Sequence, residues 1–276
     1  MKKTICMIPL YVWTLVFILI PLAIVIYYAF VSDPNGNASF SLDGFRDFFS
    51  NPVFAEVLLR SLKIAFISTI ICILLGYPAA YFLARSKSRF KFVVIILMLL
   101  PMWINFLIRT YSWLSLLEKT GLISTLLTYL GFGPVDFTGT EAAVILVSVY
   151  DFLPFMIMPI YITLLKLDQS HLDAAADLGA NPAKVFFKIT LPFSVPGILS
   201  GVAMVFVPSV TTFAISQTIG NGKFPLIGDL IQEQYMVVSN WQFGGAISIV
   251  TMAVVLLLMY FINRTDSEES GGGMLK

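Results

Sequence analysis

Residues 173–192 read DAAADLGANPAKVFFKITLP, a short polar island between two long apolar runs. Asp173 and Asp177 are four apart and share a helix face. Ser170-His171-Leu172-Asp173 fits a capping box, with Ser170 as N-cap and Asp173 reaching back to its backbone N–H. Ala174, Ala175 and Ala176 favour helix and leave a small-residue surface. Gly179 falls at the C′ position, where a left-handed conformation ends a helix. Asn181-Pro182 restarts one as N-cap and first residue, and Leu191-Pro192 is expected to stop it. The segment is therefore expected as two short helices joined by a glycine turn. A helix of about eight residues is marginal in water. Something must cover it, either the ends of this chain's own helices or a separate partner.

The composition around this island is that of a bilayer protein. Hydrophobic residues make up 58% of the 276 positions and charged residues 12%, against about 25% charged in ordinary globular chains. Mean hydropathy is +0.89. The formal net charge of +1 gives no bulk attraction for nucleic acid, and no nucleic-acid partner is expected. The two cysteines, Cys6 and Cys72, both lie in apolar runs and read as small hydrophobes rather than a disulfide.

A spanning helix needs about 20 mostly apolar residues. Six candidates follow: 5–31, 64–84, 92–117 interrupted by Arg109, 141–165 interrupted by Asp151, a span within 189–222 and another within 234–263. The first run follows Met1-Lys2-Lys3 but is too long for a signal peptide and carries Pro9 and Pro21, so an uncleaved helix is expected. Lys and Arg counts place 11 on the side of the N-terminus and 6 on the other, counted from the sequence. The tight loop RSKSRFK at 85–91 decides the orientation, because short loops dominate the positive-inside rule. Both termini and the 173–192 island are expected in the cytoplasm. The expected organisation is a first helix and extracytoplasmic loop over 1–56, five further helices over 57–263, and a flexible cytoplasmic tail over 264–276. SDPNGN at 32–37 reads as a turn cluster. FRDFFSNPVFAEVLLRSLK after it reads as a short interfacial helix leading into the second span.

The island resembles the cytoplasmic EAA coupling loop of type I ABC-importer permeases, the binding-protein-dependent transport components of the inner membrane. Asp173, Ala174, Ala175, Gly179, Ile189, Leu191 and Pro192 stand at that loop's spacing, with Asp173 in place of Glu. LGYPAAYFLARS (75–86), LLPMWINFLIRTYSW (99–113), VYDFLPFMIMPIYITLLKLD (149–168) and FVPSVTTFAISQTIGNGKFPLIGDLI (206–231) are similar to permeases of spermidine/putrescine importers. The match is closest to the first of that system's two permease subunits. The resemblance implies an all-α membrane fold of six helices in a bacterial cytoplasmic membrane. It implies a second permease subunit, an ATPase homodimer that carries ATP-Mg, an extracytoplasmic substrate-binding protein and a polyamine cargo. It also implies that the seven loop residues couple to the ATPase by alternating access. No G-x-x-x-x-G-K-[ST] loop occurs, so no cofactor is expected on this chain and no catalysis by it.

An ion in mid-bilayer costs about 2.5–3.5 kcal/mol on insertion scales and is a functional hypothesis by default. Asp151 and Arg109 have similar expected depths, and two readings stay open: a structural pair, or an Asp151 that meets the ammonium groups of cargo. Trp103 and Tyr150 offer ring faces to a cation, although Trp and Tyr also gather at membrane interfaces. Phe213 lies at the outer end of the fifth span. Asp229 and Glu233, in the loop beyond, would receive a cation from the binding protein or simply be solvated. His171 is expected to face solvent, and no metal site is expected. The same architecture would also serve an importer of another small solute, such as iron, sulfate or molybdate. An intramembrane enzyme needs a catalytic set that is missing, and a secondary carrier should show an internal repeat.

Overall fold

The computed structural model describes residues 9–32 and 39–271. Expectations placed on 1–8, 33–38 and 272–276 lie outside the described residues. They concern the start of the first run with Cys6, most of the SDPNGN turn and the end of the tail. The chain runs as α1 (Pro9–Phe30), β1 (Val31–Ser32), β2 (Ser39–Phe40), α2 (Asp43–Ser50), α3 (Pro52–Arg85), α4 (Lys91–Trp103), α5 (Phe106–Leu117), α6 (Leu122–Tyr129) and α7 (Glu141–Leu165). Then follow α8 (Gln169–Asp177), α9 (Pro182–Thr211), α10 (Ala214–Ile219), α11 (Ile227–Met236) and α12 (Trp241–Gly271). Helices α1, α3, α7, α9 and the stretch Trp241–Ile262 of α12 are each long and apolar enough to cross a membrane. Helix α4 and the stretch Phe106–Tyr129 qualify only as a pair, bent by 96°. The six expected spans are thus present, the third as a broken one.

Three boundaries differ from expectation for local reasons. The short helix expected ahead of the second span is present as α2, but it ends at Ser50, and the spanning helix starts well before residue 64. Asn51 caps a new helix by accepting from the Val53 N–H at 3.0 Å, Pro52 supplies its first turn, and α3 runs 34 residues to Arg85. At 1.5 Å per residue that is ~51 Å, well beyond the hydrocarbon thickness. At the other end, α12 continues into the expected tail as far as Gly271, because no helix breaker stands between Ile262 and the glycine run. Finally, Leu191-Pro192 does not stop a helix. Helices α1 and α9 each contain one widened turn, at Leu15–Leu19 and Phe186–Thr190, in which Ile20 donates to the Leu15 carbonyl and Leu191 to the Phe186 carbonyl. The next residue is proline both times, Pro21 and Pro192. A proline ring collides with the carbonyl four residues before it in a regular helix, and a turn with five-residue spacing moves that carbonyl aside.

Two compact units make up the chain, Met1–Leu59 with Ile227–Leu256 and Arg60–Leu226 with Leu257–Lys276. In the first, β1 and β2 pair antiparallel with Val31 opposite Phe40. Gly245 lies against the backbone of α1, where a Cβ would stand 2.9 Å from the Ala29 nitrogen. Phe54 packs edge-on to Phe243 at 4.9 Å. In the second, α7 and α9 form the centre. Gly197 and Gly201 present a bare strip to α7, and a Cβ would come within 2.6 Å of the Thr163 hydroxyl and of the Met156 sulfur respectively. Such a small-xxx-small strip lets two spanning helices approach closely. Met156 and Ile160 are fully buried there.

Candidate functional site

Helix α8 forms where the island was expected to fold, but its cap is one step earlier. Asp168 is the N-cap and accepts from the Ser170 N–H at 3.0 Å. Those bonds from Ser170 hold the Asp168 carboxyl below the usual carboxylate range. Ser170 is therefore not the cap, and Asp173 does not reach back to it. A carboxylate is the stronger acceptor and needs no rotor to be set. Asp173 instead accepts from the Gln169 side chain at 3.0 Å. The C-terminus closes as a Schellman motif: Ala180 donates to the Ala175 carbonyl and Gly179 to that of Ala176, with Gly179 at φ +80°. Asn181 then caps α9 through the Lys184 N–H at 2.8 Å.

This helix–glycine–helix stands free on its outer side. Leu172 is buried and anchors α8, while Ala174, Ala176 and Asp177 are exposed and Leu178 is 89% exposed. A Cβ on Gly179 would meet nothing within 4 Å. Of the remaining loop residues, Asp173 and Pro192 are exposed, and Ala175, Ile189 and Leu191 are half-buried. His171 is exposed. Beneath α8 lies an open cavity of about 650 Å³ lined by Tyr81, Arg85, Lys87, Leu172, Asp173 and Thr190 among others. Arg85 donates to the Thr190 hydroxyl at 3.3 Å and lies 4.7 Å over the Tyr81 ring.

Arg109 and Asp151 form the second arrangement. The helix α5 starts after Ile104-Asn105, where Asn105 caps it by accepting from the Leu107 and Ile108 N–H groups. That break turns Arg109 toward α7. Its Nε lies 2.9 Å from Asp151 Oδ1, and one Nη donates to the Pro101 carbonyl, at the end of α4, at 2.6 Å. The guanidinium sits 5.8 Å from the centre of the Phe106 ring and 6.0 Å from that of Tyr150. Asp151 is 1% exposed and Arg109 9%. Neither oxygen of Asp151, nor Arg109 Nε, makes a hydrogen bond among the described residues, so the contact is an ion pair alone. Tyr150 also meets Trp113 edge-on at 5.1 Å.

Of the aromatic candidates, then, only Tyr150 reaches this pair. Trp103 ends α4 and is 89% exposed, and Phe213 is exposed at the break before α10. Asp229 is buried on α11, whereas Glu233 is exposed. Sequence reading missed three features: the break at Ile104-Asn105, the Pro101 carbonyl as a partner of Arg109, and the Gly197–Gly201 strip. Asn105 after Pro101, and the literal G-x-x-x-G spelling, were the available signals. Among the described residues no group of three or more His, Cys, Asp or Glu is placed to hold a metal ion.

Residues 73–265 match the family described as binding-protein-dependent transport system inner membrane component. The chain is 36% identical over 260 residues to the spermidine/putrescine transport system permease protein PotB of Haemophilus influenzae, covering 91% of each. It is 36% identical over 255 residues to PotB of Escherichia coli K12, covering 91% of this chain and 92% of that one. It is 31% identical over 228 residues to the inner membrane ABC transporter permease protein YdcU of the same organism, covering 78% and 72%. Among solved structures, a chain of a bacterial ABC transporter involved in import of the acidic polysaccharide alginate shares the fold with a TM-score of 0.81 at 18% identity, covering 97% and 95%. A six-span helical fold, a family match over most of the chain and near full-length relatives agree: the chain belongs to the inner membrane permease components of binding-protein-dependent ABC importers.

Proposed function

We propose that this chain is one permease subunit of an ATP-driven importer of polyamines of the spermidine/putrescine class. The carrying observation is the 36% identity to spermidine/putrescine permeases over 91% of the chain. The loop 85–91 and both termini face the cytoplasm. The assembly contains a second permease subunit, an ATPase homodimer that binds and hydrolyses ATP-Mg, and an extracytoplasmic binding protein that delivers cargo. Helix α8 with Leu178-Gly179 docks on the ATPase through Asp173, Ala174, Ala175 and Gly179, with Ile189, Leu191 and Pro192 bracing it from α9. Its exposed small-residue face and the open space around Gly179 fit a partner's groove. Asp151, Tyr150, Trp103 and Phe213 flank the cargo's route, and Asp229 and Glu233 lie toward the binding protein.

Catalysis of ATP hydrolysis lies outside this chain. Its part is mechanical: α7 carries Asp151 and ends at Leu165, three residues before α8 begins. A displacement of α8 by the ATPase is therefore passed directly into the rod that bears the buried charge. The test is reconstitution of the four components in proteoliposomes. Uptake of radiolabelled spermidine that requires ATP, and that unlabelled putrescine suppresses, is the expected result. An assembled complex that transports a different solute and no polyamine overturns the reading.

A further inference from the structure

The surroundings of the Arg109 guanidinium make up a complete site for an organic cation. A carboxylate oxygen lies at 2.9 Å, a helix-terminal carbonyl accepts at 2.6 Å, and two rings, Phe106 and Tyr150, stand within 6.0 Å. Carboxylate, carbonyl and ring faces are what an ammonium or amidinium group requires when taken out of water. The Pro101 carbonyl accepts from the Ile104 N–H at 3.2 Å in the last turn of α4, has a second lone pair for the guanidinium and carries the negative end of the α4 dipole. Both carboxylate oxygens are buried and without a hydrogen-bond donor, so the ion pair with Arg109 leaves them open to an aligned N–H.

The occupant is also a structural tie. Arg109 belongs to α5, the Pro101 carbonyl to α4 and Asp151 to α7. One side chain thereby bridges both halves of the bent span and fastens them to the rod that leads to α8. Loss of the bridge frees the bend and α7 together.

From this geometry we infer that Arg109 is a tethered cation standing in the protein's own cation site, and that an ammonium group of the cargo competes with it for Asp151, releasing the bend as cargo enters. The site takes alkylammonium or guanidinium groups. Arg109 is a positioning residue here: it holds α4, α5 and α7 until exchange. The inference rests on the polyamine reading for the identity of the competing cation, but the site itself does not.

The experiment uses the assembled importer in proteoliposomes and reads ATP hydrolysis without cargo. Arg109→Ala removes the tie, and cargo-free hydrolysis rises on the order of fivefold or more, the lower end of ordinary allosteric coupling. Guanidinium chloride then refills the vacated site and returns the rate toward wild type. Arg109→Ala with Asp151→Asn lacks the carboxylate and shows no such response. An unchanged rate in assembled Arg109→Ala, or an equal guanidinium effect on the double variant, overturns the inference. Should Arg109→Ala fail to assemble, spin labels at Leu97 and Ser112, both exposed positions on either side of the bend, report on Asp151→Asn with Arg109 retained. A lengthened and broadened distance supports the tie, and an unchanged distance overturns it. Wild-type hydrolysis with spermidine-loaded binding protein is run alongside. Its failure to stimulate overturns the polyamine reading alone and leaves the guanidinium response to decide the cation site.

Discussion

At the scale of single residues, two positions carry more than their side chains suggest. Gly179 has no side-chain neighbour to satisfy, yet its φ of +80° closes α8. A β-branched residue there meets the left-handed penalty of about 1–2 kcal/mol and also fills the surface assigned to docking. Gly179→Val is expected to leave insertion and permease pairing intact while ATP hydrolysis no longer drives uptake. Measured transport per ATP should fall while pull-down of the permease pair is retained. If uptake is unchanged in a fully assembled complex, α8 is not the coupling element. Arg109 is the other such position. Removing one partner of a buried pair costs about 3–5 kcal/mol in general, which makes the small, reversible response to guanidinium the informative readout. Legibility at this scale was uneven. The pairing of Arg109 with Asp151 could be written down from their similar depths, because both lie far enough into apolar runs that each needs a partner. The competing cap at Asp168 could not, because Asp168 and Ser170 are both good capping residues two apart and only the backbone decides where the helix starts and which oxygen meets an N–H.

Among the elements, the interface of α7 with α9 is set by what glycine leaves out. Gly197 and Gly201 lie one turn apart, and the contacts they permit, to Thr163 and Met156, are already close. Gly201→Leu must displace Met156, and overpacking of this kind costs about 1–3 kcal/mol. The expected outcome is a lower midpoint in thermal unfolding of the detergent-solubilised permease pair, with Gly197→Val behaving alike. A midpoint equal to wild type would mean the strip is not at the contact. The spans themselves were readable because hydropathy over about 20 residues reports burial in lipid whatever the neighbours do. The bend of the third span was not. Pro101 is an ordinary resident of spanning helices, and the turn of 96° depends on Asn105 capping a second helix and on Arg109 donating to the Pro101 carbonyl at the end of the first. Those are tertiary contacts, invisible to a one-dimensional hydropathy reading.

For the whole molecule, the side chains of α1 lie largely outward: Trp13, Phe17 and Tyr27 are all more than half exposed. A lone chain in water would not tolerate this, and lipid or the second permease is the proposed cover. The proposed orientation predicts that a cysteine at Ser88, in a chain freed of Cys6 and Cys72, reacts with a membrane-impermeant maleimide in inverted vesicles and not in intact cells. Labelling from outside would reverse the topology and remove α8 from reach of a cytoplasmic ATPase.

The widened turn at Phe186–Thr190 gives α9 a property that a uniform helix lacks. It holds one residue more than a regular turn, and each residue of a helix rotates the next by about 100°. The extra residue is absorbed within that one turn. The proposed docking end of α9, beginning at Pro182, and its glycine strip at 197 and 201 therefore keep the relation they would have in a regular helix one residue shorter. Deleting a residue inside the turn would restore that regular helix and leave the two ends facing as before. Deleting one from the regular part of α9 would instead rotate the docking end by about 100° relative to the face that grips α7. The turn is slack in the register, and length changes inside it and beside it have unequal consequences for the docking surface.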